Sequence, residues 1–73
     1  MRTEILESAV AGDADATAEV LHEAEALIRG YAHSKEEQQL ARVTLWAALP
    51  GFRGDSWEEF RDYARKVLSA LSA

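Results

Sequence analysis

Residues 49–60 read LPGFRGDSWEEF, and the fold turns on whether this stretch joins two helices or does something more. Pro50 and Gly51 end a helix, because proline has no amide to give a helix interior and glycine admits positive φ. Asp55 or Ser56 caps the next helix, and Ser56-Trp57-Glu58-Glu59 is a capping box, with a serine and a glutamate three residues on. Six residues from Pro50 to Asp55 are then left as a helix–helix connection, within the usual range for bundles.

On the C-terminal side the expected helix is 56–71, with Trp57, Phe60, Ala64, Val67, Leu68 and Leu71 as its apolar stripe. On the N-terminal side, Ser34-Lys35-Glu36-Glu37 is another capping box, opening a helix over 35–49. In this third helix Leu40, Val43 and Ala47 make one stripe. Ala41, Leu45 and Ala48 make a second, and Trp46 and Leu49 widen it. Apolar on most sides, it is expected to be the central and most buried element. Further upstream, Val20, Leu21, Ala24, Leu27, Ile28 and Tyr31 trace the stripe of a helix over 14–33, capped by Asp13 or Asp15. Gly30, about 1 kcal/mol worse than alanine in a helix interior, marks the place for a bend or fray. A short first helix over 4–11, capped by Thr3, carries Ile5, Leu6, Ala9 and Val10 on one face and stops at Gly12. The expectation is an all-α chain, a small four-helix bundle forming one domain over residues 1–73. Trp46, Trp57 and Phe60 are expected in its core, since a chain this small needs large side chains to fill its interior.

The bulk composition narrows the class. The chain of 73 residues is alanine-rich and contains no cysteine, so neither disulfides nor thiolate metal sites are available. Nothing approaches the roughly 20 apolar residues of a membrane span. The start, MRTEILESAV, lacks a signal peptide's apolar middle, so the expected location is cytoplasmic, away from membranes, and unprocessed. The net charge of −5 is unevenly placed: residues 1–37 hold three basic side chains against nine acids, and residues 38–73 hold five against four. An acidic front half repels nucleic acid and anionic membrane.

Chemistry-bearing groups are sparse. His22 has Glu19 and Glu25 three residues to either side, a spacing that admits a zinc site but reads better as an exposed histidine on an acidic face. No serine or threonine has an evident base, and no glycine-rich phosphate loop appears. The expectation is a non-enzyme with no cofactor and no metal. Phe52 has two readings, a lid folded back on the core or a side chain offered to a partner. Arg61, Arg65 and Lys66 recur along one side of the last helix, either as a plain polar face or as a small basic strip.

The segment WAALPGFRGDSWEEFRDYARKVL resembles region two of the extracytoplasmic-function sigma factors, bacterial subunits that give RNA polymerase its promoter specificity. The resemblance rests on Trp46, Leu49-Pro50, Phe52-Arg53-Gly54, Ser56, Phe60, Tyr63 and Arg65-Lys66. The front of the chain is similar to that family's first two helices, joined here by Ala11-Gly12-Asp13. The resemblance implies a module that docks on core RNA polymerase through its third helix and contacts single-stranded promoter DNA through the loop. On this sequence Glu36, Gln39 and Arg42 fall at the docking positions. Phe52, Arg53, Asp55, Ser56, Arg61 and Arg65 fall at the nucleic-acid positions. Of the family's docking pattern Glu36 and Gln39 match, while Leu40 replaces a glutamate and Arg42 an aromatic residue. The alternative expectation is a helical adaptor that keeps the sigma-like fold without DNA binding. Its partner would offer a basic or amphipathic helix.

Overall fold

The structure, a computed structural model, describes residues 3–71. It is all-α: α1 Thr3–Val10, α2 Ala14–Glu23, α3 Glu25–Tyr31, α4 Lys35–Ala48 and α5 Trp57–Leu71, with a 3₁₀ turn at Leu49–Gly51 closing α4.

The starts and stops are the local chemistry of the sequence made visible. Asp13 caps α2 by accepting from the Ala16 amide at 2.9 Å. Ser34 caps α4 by accepting from the Glu37 amide at 3.1 Å, and Ser56 caps α5 from the Glu59 amide at 3.1 Å. After α1 the chain reverses through Gly12, at φ 102°. The Gly12 amide donates to the Ala9 carbonyl at 3.1 Å and the Asp13 amide to Ser8 at 3.0 Å, the paired bonds of a Schellman turn. Only glycine takes that φ without strain. Thr3 is the first residue of α1 rather than a cap before it.

Five helices stand where four are expected, because the second is broken at Ala24. Its ψ of −2° breaks the run between α2 and α3. Gly30, the expected site of the bend, lies inside α3. Alanine is the best helix former, so nothing local asks for a break there. Ala24 and Ile28 are both fully buried, so the break lies against the core.

The core runs through every helix: Leu6, Val20, Ile28, Leu45, Leu49, Phe60 and Leu68 are its largest fully buried side chains. α1 packs on α2, and α5 packs on α3 and α4. The burial order of the helices departs from expectation. α5 turns Phe60, Ala64 and Leu68 fully inside, whereas α4, expected to be the most buried, buries only Ala41 and Leu45 along its length. Trp46, expected inside, is 60% exposed. α4 lies at the edge of the fold with a single stripe turned inward. Here that stripe is Ala41, Leu45 and Leu49, which leaves Leu40, Val43 and Trp46 on the outside.

The loop folds onto α5. The Phe52 ring meets Phe60 edge-on at 5.3 Å and Tyr63 at 5.5 Å, while Trp57 stacks on Phe60 at 5.4 Å. The Tyr63 hydroxyl donates to the Ala48 carbonyl at 2.7 Å, satisfying the frayed end of α4. Gly54 lies directly over Phe52: a Cβ there would come within 2.7 Å of the ring's Cζ and 2.9 Å of Cε1. The order Phe-Arg-Gly is thus a packing device, in which the missing side chain of Gly54 makes room for the ring. Gly54→Ala is expected to destabilise the fold by about 1–3 kcal/mol, the usual result of overpacking. Urea titration followed by circular dichroism checks this, and an unchanged midpoint would remove the packing role.

Candidate protein-docking face

Among the solvent-facing residues of α4 are Glu36, Gln39, Leu40, Val43, Trp46 and Ala47, continued by Pro50 in the 3₁₀ turn. Their spacing of three and four residues places them on one side of the helix. Leu40 is 56% and Val43 55% exposed. Leu71 on α5, 41% exposed, borders the same depression as Leu40. All four large hydrophobic side chains that stand exposed among the described residues therefore belong to one band: Leu71, Leu40, Val43 and Trp46. Scattered exposed apolar residues are normal, but a contiguous band on one helix face is the signature of an interaction surface.

The band has an end pocket. Trp46, Ala47 and Pro50 line a groove of about 500 Å³ together with Gly12 of the α1–α2 turn and Ala14 and Thr17 of α2. At the opposite end Leu40 and Leu71 share a depression of about 380 Å³ with Tyr31, His33 and Glu37.

The expected docking residues divide between two settings. Glu36 and Gln39 lie exposed on the band's polar shoulder. Arg42 turns away from it toward α3, where its guanidinium grips Glu25 through two hydrogen bonds, one from Nε to Oε2 at 3.1 Å and one from Nη2 to Oε1. Its Nη1 also donates to Gln39 at 3.4 Å. The bond from Arg42 holds the Glu25 carboxyl below its ordinary value of 4.5, and the same bond raises Arg42. Arg29 adds a weaker contact to Glu25 at 4.0 Å. Since the folded-state value is lowered, this pair stabilises the fold fully above pH 4.5. The contribution is lost as pH falls through the lowered value. Arg42→Ala is expected to lower the melting temperature near neutrality by a few degrees at most and to narrow the gap to wild type below pH 4. A gap that stays constant through the acid limb would show the pair to be energetically silent. The pair is partly exposed, so salt should shrink its contribution.

The expected nucleic-acid residues have a different geometry. Phe52 is buried, 4% exposed, so of its two readings the structure takes the lid. Ser56 is occupied in capping α5. Asp55 is exposed beside it. Arg53 bends back on the loop, donating to the Pro50 and Phe52 carbonyls at 3.3 Å. Arg61 and Arg65 lie on the solvent side of α5, and Arg65 pairs with Asp62 at 3.2 Å. Arg53 and Lys66 share a shallow depression with the carboxylates Glu59 and Asp62. Among the described residues no three of His, Cys, Asp and Glu are grouped to hold a metal ion, and no helix is long and apolar enough to cross a membrane.

Sequence reasoning placed Leu40, Val43 and Trp46 inside and missed both the band and the Glu25–Arg42 link. The available signal was a surplus: α4 carries more apolar positions than one buried stripe can use. The chain matches no protein-family model, no curated protein and no solved structure.

Proposed function

We propose that this chain is a non-enzymatic docking module that presents the outer face of α4 to a protein partner, and that the partner is the RNA polymerase core implied by the resemblance to sigma region two. The observation that carries the reading is the collection of the exposed large hydrophobic side chains into one band on that face. Glu36 and Gln39 on its shoulder are the two residues that match the family's docking pattern. Purified bacterial core polymerase retained on the immobilised full chain, and released by Val43→Glu, is the expected result. Failure of the wild-type chain to retain polymerase would end the polymerase reading.

A second reading, an adaptor for a different protein, uses the same face and is favoured by the loop. Phe52 lies in the core, and Glu59 and Asp62 line the same depression as Arg53 and Lys66, so carboxylates interrupt the positive surface beside the loop that a phosphate backbone would need. On this reading labelled single-stranded DNA shows no salt-dependent binding by fluorescence anisotropy. A module that touches promoter DNA shows affinity falling steeply between about 50 and 200 mM salt.

A further inference from the structure

The band is apolar in its middle and acidic at both ends. Asp13 and Asp15 flank Ala14, which lines the groove beside Trp46, and both are exposed. Glu36 and Glu37 stand at the other end, Glu37 beside Leu40. None of these four carboxylates forms an ion pair among the described residues, whereas Arg42, one of the two cations of α4, is engaged by Glu25. Lys35, the other, is exposed at the helix start.

These charges bear on what lies along the band. A second copy paired antiparallel would set Glu36 and Glu37 against the partner copy's Asp13 and Asp15. Paired parallel, it would set each acidic end against itself. Either way, acids meet acids on a chain whose net charge is already −5. A basic partner has the complementary arrangement. Length is set as well: fourteen positions separate Glu36 from Pro50, about 21 Å at 1.5 Å per residue, or four helical turns.

The groove adds an anchor point. Its walls are mostly small side chains, and a Cβ built on Gly12 meets nothing within 4 Å, so one side is open space. Trp46 stands at its edge with its ring largely exposed. A groove of this size beside an exposed indole suits one large apolar side chain, the kind of contact that dominates docking energetics.

We propose that the band receives one amphipathic helix of another protein, with Lys or Arg at both ends of its apolar face and one aromatic or leucyl side chain seated in the groove between Trp46 and Gly12. This rests on the docking reading above and specifies its ligand.

The test uses the full chain and a synthetic 18-residue helical peptide with an apolar Leu/Trp face and a Lys pair at each end. Calorimetry gives the affinity, and amide shifts give the site. The Lys-ended peptide is expected to bind at least about tenfold tighter than the same peptide with Glu at both ends, with shifts at Gly12, Ala14 and Ala47. Ala47→Leu fills the groove but keeps the band apolar and the helix intact. It should weaken binding at least about tenfold, and a peptide with its anchor replaced by alanine should no longer sense it. Equal binding of the two peptides overturns the charge argument, and indifference to Ala47→Leu overturns the anchor. If Ala47→Leu is silent while Val43→Glu abolishes both peptide and polymerase binding, the docking face stands and this inference falls alone. If Val43→Glu is silent too, the docking reading falls with it. A wild-type dimer in sedimentation that Val43→Glu makes monomeric would assign the band to a second copy and overturn the proposal.

Discussion

Phe60→Ala is expected to leave the chain without a cooperative fold at 37 °C. Phe60 is fully buried on α5, and its ring is the common neighbour of Phe52, Trp57 and Tyr63. Truncating a buried phenylalanine costs about 3–5 kcal/mol, through lost transfer energy and the cavity left behind. A chain of 73 residues has roughly 4–11 kcal/mol in total, at about 0.05–0.15 per residue. The substitution therefore removes about a quarter of the stability at the least, and nearly all of it at the low end. It also unseats Phe52, so the loop loses its attachment to α5. The measurement is thermal unfolding by circular dichroism with the near-ultraviolet signal as a second probe. A melting temperature at least about 12 °C lower is expected. Trp46→Ala is the matched control: the larger aromatic residue is removed, but from a position 60% exposed, and the change should stay within about 0.5 kcal/mol. Equal losses from the two would contradict the burial order described for α4 and α5.

Val43→Glu should separate folding from docking. Val43 is 55% exposed in the middle of the band, and glutamate is the better helix former, so the melting temperature should hold or rise slightly. In a complex the same carboxylate would be buried against an apolar surface with no cation beside it, a situation that costs several kcal/mol. Partner affinity is expected to drop by about 100-fold or more, equivalent to about 2.7 kcal/mol. Surface plasmon resonance with core polymerase reads this directly. A variant that folds and still binds within about threefold of wild type would exclude the band as the docking surface.

The fold class was legible because its signals are local. Ser34, Ser56 and Asp13 cap where the residue pattern says they should, and Gly12 turns the chain as a positive-φ glycine does. The stripes of α1, α2, α3 and α5 bury Leu6, Val20, Ile28, Phe60 and Leu68, while Trp57, expected in the core, and Val67 are half-buried and Leu71, expected in the stripe of α5, is exposed. What was not legible is set by distant contacts. The break at Ala24 has no local cause, and alanine there argues for continuity. The Glu25–Arg42 link joins residues seventeen apart on helices whose mutual angle the sequence does not state.

Trp46 shows the limit most clearly. Periodicity identifies stripes, but α4 has two of them, and volume alone favours putting the indole inside. The bundle instead turns Ala41 inward and leaves the indole out, because Phe52, Phe60 and the buried leucines already fill the interior. The candidate site was therefore hidden by its own hydrophobicity: residues that look like core in one dimension are a surface in three. Phe52 is the reverse case, a loop residue open to a binding role in sequence that lies in the core in space.

Among the described residues, six of the fourteen buried apolar side chains are alanines: Ala9, Ala16, Ala24, Ala32, Ala41 and Ala64. Where alanines meet, backbones approach toward the short end of the 8–10 Å range of helix separations, and no flexible side chain is left to absorb an error. Tolerance to change in this interior is therefore lopsided. The six alanines have nothing left to lose, while one added methylene at Ala24 or Ala64, both fully buried, overpacks the core. A sequence drifting under selection could explore its exterior freely, yet it would find its middle closed to growth.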